Sequence, residues 1–364
     1  MSDGPMHANV EIMRNTLFFL VAFLLVSMGI RQGLERVGFQ PFLGLMSEKL
    51  DHLARNHEQV DIVFLGASDY GAAIDPVALD DAMAASGCHE RSFNFGIDGL
   101  NAVEFQWLMA QLRARFPKQL PRLVIGIPSH NYDFNADRSS RTHFFMSLSN
   151  LYGYVYDIWN LPRGKMARLE LLWHLFVKFG REAGQVGVLH QWLSERMGGT
   201  PGSVDRVTAG RGFLPMTGPE GDDAEMRLKE QTRQIIHDVD TQYRTDYYAR
   251  LYGEANLMRM RPLIDKARRF GFEVAVLFGP SLSHYLTSTP LQRHMREAYP
   301  DLSVWQYNDP VRWPSLFDAS NLVNVTHVNQ KGAHAFARVL APDLCAWIQG
   351  QRISRTFGAA WRHS

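Results

Sequence analysis

Asp61-Ile62-Val63-Phe64-Leu65-Gly66-Ala67-Ser68-Asp69-Tyr70 decides how the chain is read. Ile62 to Leu65 are apolar and partly β-branched, with no polar alternation. That is the pattern of a strand buried on both faces of a parallel sheet. Gly66 and Ala67 allow a tight turn, and Ser68 follows where the strand gives way to a loop and then a helix. Pro76 can open that helix, because its missing N–H falls where no intrahelical bond is made; Val77, Leu79 and Met83 continue it. A serine just past the carboxyl end of a parallel strand stands where open α/β sheets bind ligands. A helix amino terminus nearby favours developing negative charge. Taken alone, the stretch allows two readings: a nucleophile, or a strand that ends in a small-residue turn.

Working outward, 364 residues with 46% hydrophobic side chains can bury a large core. A net charge of +1 carries no electrostatic signature of nucleic-acid binding. Cys88 and Cys345 are too few for a disulfide framework or a metal motif; they can form one bridge outside the cytoplasm or remain two thiols. His143, His174, His190 and His237 are scattered without ligand spacing, so no metal site is expected.

Residues 1–15 read as a polar tail. Thr16–Ile30, TLFFLVAFLLVSMGI, is uncharged and apolar, and with its flanks 16–33 approaches the ~20 residues of a spanning helix. A transmembrane anchor is the expectation; a signal-peptide core and a buried helix are the alternatives. Flanking charges (Arg14 before; Arg31, Arg36 and Lys49 after) lean against export of the chain beyond the segment. Residues 34–60 have the periodicity of a linker helix, through Leu34, Val37, Phe42, Leu43, Met46, Leu50 and Leu53.

Further strands are expected at Ser92–Phe95, Pro121–Pro128, Glu273–Phe278 and Leu302–Tyr307, alternating with helices at 102–116, roughly 241–270 and 330–348. The second strand runs into Gly96-Ile97-Asp98-Gly99, where backbone N–H groups can face a ligand. The third opens into Ser129-His130-Asn131. Residues 135–240 break the alternation and read as a helical insertion beside the site. His327 stands in the loop before the last helix, as a surface histidine or one facing the sheet's carboxyl edge. The tail is 350–364.

These pieces, in this order, resemble the SGNH/GDSL hydrolase superfamily. Leu65-Gly66-Ala67-Ser68 is similar to its nucleophile block, Asn94-Phe95-Gly96-Ile97-Asp98-Gly99 to the block whose second glycine offers an N–H to an oxyanion, and Asn324-Val325-Thr326-His327-Val328-Asn329-Gln330-Lys331-Gly332-Ala333 to its Asp-x-x-His block. The resemblance covers about 60–340 outside the insertion, and the domain it implies is 61–349. It implies a flavodoxin-like three-layer α/β/α sandwich with a mostly parallel sheet. It also implies catalysis by Ser68 and His327, and an oxyanion hole from the Ser68 and Gly99 N–H groups with Asn131. The family's acid position holds Asn324, leaving Asp318 as an alternative acid or a Ser–His dyad. The family's Gly-x-Asn-Asp block is absent.

An apolar anchor followed by such a domain resembles the membrane-anchored SGNH proteins that work beside membrane-bound O-acyltransferases (MBOATs) in bacterial polysaccharide acylation. The resemblance implies an extracytoplasmic domain on the cytoplasmic (inner) membrane. The expected reaction is O-acyl transfer, above all O-acetylation, or acyl-ester hydrolysis on a cell-surface polysaccharide. The partners implied are an acyl donor, a glycan acceptor, the membrane through the N-terminal helix and an MBOAT protein. A catalytically silent SGNH-like subunit that binds glycan or positions an MBOAT is the alternative.

Overall fold

The computed structural model describes residues 42–129, 140–182, 210–218, 222–242 and 246–350, with Tyr132, Leu193, Val207 and part of 14–33. In chain order the main elements are α1 (Leu45–Asn56), β1 (Ile62–Gly66), α2 (Ser68–Ala73), α3 (Pro76–Ala85), β2 (Ser92–Gly96), α4 (Ala102–Arg115), β3 (Arg122–Ile125), α5 (Ser140–Phe145), α6 (Leu148–Trp159), α7 (Lys165–Glu182), α8 (Asp222–Gln242), α9 (Asp246–Arg269), β4 (Val274–Phe278), α10 (Tyr285–Ala298), β5 (Ser303–Gln306) and α11 (Gln330–Ile348). They fall into two compact units. One is Lys49–His130, Asn160–Pro162 and Asp205–Ser364; the other is Met1–Glu48, Asn131–Trp159 and Arg163–Val204.

The larger unit holds a five-stranded sheet in the order β2-β1-β3-β4-β5, parallel throughout. This is the doubly wound 2-1-3-4-5 order, whose chain reversal lies between β1 and β3. β1 is buried along its whole length, as an apolar run without alternation requires. On one face Ile62, Phe64, Val124, Ala275 and Leu277 pack with Leu79 and Met83 of α3 and Phe336, Leu340 and Leu344 of α11. Burying each such side chain contributes about 1.5–3 kcal/mol. α9 packs with α4 and α10 as a separate helix group, so the unit has the helix–sheet–helix build of an α/β fold. Cys88 and Cys345 are joined in a disulfide, Cα–Cα 5.8 Å, which ties the segment after α3 to α11 across 257 residues.

α3 begins at Pro76 as its sequence requires, with the Asp75 carboxylate accepting from the N–H groups of Val77 and Ala78. The difference from the sequence reading lies before it: Ser68 enters a one-and-a-half-turn helix, α2, with no intervening loop. Small residues make that possible. A Cβ on Gly66 would lie 2.1 Å from Cγ of Tyr70, and one on Gly96 would lie 2.2 Å from the backbone nitrogen of Gly71. Tyr70 crosses the strand ends fully buried, and its hydroxyl donates to the Leu277 carbonyl at 2.5 Å.

In the smaller unit α6 and α7 pack together. α6 buries Tyr154, Asp157 and Ile158, and the Tyr132 hydroxyl donates to Asp157. α7 buries Leu175 but leaves Met166, Leu169, Trp173, Phe176 and Val177 exposed along one stripe. The described residues within 14–33 are helical, with Phe18, Phe19, Leu25 and Val26 exposed. Among the described residues no helix is long and apolar enough to cross a membrane; part of the 16–33 anchor expectation lies outside them.

Candidate active site

Ser68 sits at the first position of α2, just beyond the carboxyl end of β1. Amides in the first turn of a helix have no intrahelical acceptor, which leaves the Ser68 N–H available to an oxyanion. Asn94 locks this turn. Its side-chain NH2 donates to the carbonyls of Tyr70 (2.8 Å) and Ile74 (2.6 Å), while its oxygen accepts from the Gly96 N–H at 2.7 Å. The β2 strand end is thereby fastened to the serine helix. The Ile97 N–H adds a 3.0 Å bond to the Gly66 carbonyl. Gly99 follows in a turn at φ +61°, a left-handed conformation that favours glycine.

His327 is delivered by a tight loop closed by the Leu322–Val328 bridge and by Val323 N–H donating to the His327 carbonyl at 2.9 Å. Asn329 caps α11 behind it, its side-chain oxygen accepting from the Gly332 N–H at 3.0 Å. A Cβ on Gly332 would fall 2.2 Å from the Asn321 carbonyl, so the glycine is what lets helix and loop approach.

The loop brings His327 Nε2 to 2.9 Å from Ser68 Oγ, across 259 residues of sequence. Its Nδ1 lies 3.2 Å from Oδ1 of Asn324. That amide oxygen also accepts the backbone N–H groups of Thr326 (2.8 Å) and His327 (2.9 Å). Backbone N–H groups only donate, so they fix the amide with its oxygen toward the ring. The proton then belongs on Nδ1, and Nε2 presents its lone pair to the serine hydroxyl. An asparagine that turned its NH2 to the ring would enforce the opposite tautomer, the one that disables a histidine base.

His327 is half-buried, and burial lowers its pKa below 6.5; Asp69 and Asp98 oppose that shift, and His284 adds to it. Asp318 does not occupy the acid position. It caps the turn Ala319–Asn321 by accepting from the Ser320 N–H at 2.8 Å, and hydrogen bonding to the Ser320 hydroxyl, then to this N–H, holds its carboxyl below the usual range. Asn131 lies outside the described residues, so the third oxyanion donor named from the sequence has no described geometry.

Two residues at the site were not singled out from the sequence. Asp69 follows Ser68 and is buried; its Oδ2 lies 3.5 Å from Nδ1 of His284, in the turn after β4. The N–H groups of Leu282 and Ser283 donate to the Val325 carbonyl at 2.9 and 3.2 Å, and Thr326 Oγ1 donates to Ser283 Oγ at 3.2 Å. The β4 turn is thus stitched to the histidine loop. The available signal was positional: both residues follow the carboxyl end of a strand, where polar side chains of an open sheet converge.

A cavity of about 660 Å³ lies at the other, amino-terminal edge of the sheet, lined among others by Asp61, Arg122 and Glu273; none of the site residues borders it. Among the described residues no group of three or more His, Cys, Asp or Glu side chains is arranged to hold a metal ion. The chain matches no protein-family model, and no curated protein or solved structure gives a significant match.

Proposed function

We propose that the chain is an SGNH-like serine enzyme that moves an acyl group, most simply acetyl, to or from a hydroxyl of an extracytoplasmic polysaccharide. The observation that carries this reading is the Asn324–His327–Ser68 array, with Nε2 at 2.9 Å from the hydroxyl and the amide oxygen fixing the tautomer. In the first half-reaction His327 takes the Ser68 proton as Oγ bonds to the acyl carbon. The Ser68 and Gly99 N–H groups receive the oxyanion; each such donor is worth about 3–4 kcal/mol of barrier. The tetrahedral species collapses, and His327 returns the proton to the departing donor oxygen. In the second half-reaction an acceptor hydroxyl gives its proton to His327 and attacks the serine ester, and Ser68 regains its proton. A sugar hydroxyl gives transfer and water gives hydrolysis; neither needs a cofactor.

Three features support an extracytoplasmic setting at the cytoplasmic membrane, beside an MBOAT partner. The apolar run at 16–33 suits an anchor. The α7 stripe is rich in exposed Met, Trp and Phe, and Arg168 lies over the Trp159 ring near the exposed Lys165. Aromatic and basic side chains of this kind suit a bilayer interface. The Cys88–Cys345 bridge belongs to an oxidising compartment.

The second reading, a silent subunit that binds glycan or positions an MBOAT, is favoured by one observation: the side chain on His327 Nδ1 is a neutral amide. Purified full-length chain treated with a fluorophosphonate probe separates the two. Labelling on the Ser68 peptide, lost in Ser68→Ala, is the expected result. A folded wild-type chain that takes up no probe would assign it to the silent reading.

A further inference from the structure

A serine–histidine pair backed by an amide has the right tautomer but lacks the anion that steadies the imidazolium formed when the serine proton is taken. The structure offers a replacement from an unexpected quarter. Asp69 is the residue after the serine, only 9% exposed. One of its carboxylate oxygens, Oδ1, is buried with no hydrogen-bond partner among the described residues. The other, Oδ2, faces His284 Nδ1 at 3.5 Å, longer than a hydrogen bond of normal length. An incompletely paired carboxylate in a desolvated position acts on its neighbours more strongly than one in water. His284 is carried to the same place by the turn stitched to the His327 loop.

We propose that Asp69 is the charge-supplying positioning residue of this site, standing in for the acid that Asn324 is not, and that His284 meters that charge. The inference rests on the serine–histidine reading above. The charged groups that act on His327 are Asp69 and Asp98, which favour its protonated form, and His284, which disfavours it. Asp98 is exposed, so its contribution fades with salt. Asp69 is shielded and keeps its effect. His284, facing the Asp69 carboxylate at 3.5 Å, works against that charge at His327.

The test is the titration of His327 itself, followed by NMR on the full-length chain, with His327→Gln used to assign its signals. Asp69→Asn is expected to lower the His327 pKa by about one unit. His284→Gln, which can still donate to Asp69 but cannot carry charge, is expected to raise it. Asp98→Asn is expected to lower it only at low salt. Serine-probe labelling is followed alongside: in Asp69→Asn the plateau rate is expected to fall about tenfold and the inflection to move to lower pH.

A residue that merely held the turn together would reduce labelling without moving the inflection. A His327 pKa unchanged in both Asp69→Asn and His284→Gln overturns the proposal. If Asp69→Asn does not fold, His284→Gln alone decides by the sign of its shift: a rise supports the proposal, and no rise rejects it. Absence of probe labelling in the wild type would sink the serine-enzyme reading, yet the NMR titration would still report whether Asp69 governs His327.

Discussion

At the scale of single residues, Asn324 decides what kind of site this is. Its side-chain oxygen already accepts two backbone N–H groups besides the ring, and a carboxylate of the same shape can accept all three. Asn324→Asp is therefore expected to keep the loop and raise the His327 pKa. Serine-probe labelling should quicken by about ten- to a hundredfold, less than the cost of losing the acid in a triad whose tautomer also fails. An unchanged labelling rate would mean that charge behind the imidazole does not limit this site. The pH dependence comes from burial, which places His327 below 6.5. Nε2 is free at neutral pH, and labelling falls as pH drops through that lower value. The approach of Ser68 and His327 was legible in the sequence because each stands in a recognisable block. Asp69 and His284 were not, since their meaning comes from a 3.5 Å approach between segments more than two hundred residues apart.

Among the elements, α1 shows where sequence reading ran short. Its apolar positions Met46, Leu50 and Leu53 were visible as a helix face and are buried. Lys49, between them, looked like one more flanking charge. It is wholly buried, its ammonium donating to the carbonyls of Gly96 and Gly212 at 2.7 Å each. Those bonds grip the strand end that leads to Gly99. Periodicity cannot find such a clamp, because a lysine on an apolar stripe is normally read as a stem that reaches water. Burial pushes the Lys49 pKa from 10.5 down to about 7. Between those values the unfolded chain holds the proton and the folded chain does not. Stability therefore rises with pH across that window, by up to about 1.4 kcal/mol per unit, and is least below pH 7. Thermal unfolding from pH 7 to 9.5 should show this slope in the wild type and its loss in Lys49→Met. Parallel curves for the two proteins would remove the titration from Lys49.

For the molecule as a whole, the parallel sheet was the most legible feature. Three continuous apolar runs (62–65, 123–125 and 274–278), each ending in small or polar residues, leave few alternatives to an α/β build. The Cys88–Cys345 bridge was left open by the sequence, where two cysteines 257 residues apart say nothing of distance in space. Closing so long a loop restricts the unfolded chain, and its loss is expected to cost about 2–5 kcal/mol. Reductant or Cys88→Ala should lower the thermal midpoint by several degrees, with the serine site retained below the transition. An unshifted midpoint would mean that α3 and α11 hold together without the link.

The 259-residue separation of Ser68 from His327 also bears on synthesis. The serine leaves the ribosome well before its histidine partner and the helix that supports it. A nascent chain that has passed Ser68 but not His327 thus carries a hydroxyl without its imidazole partner, and on the proposed reading it cannot yet attack an ester.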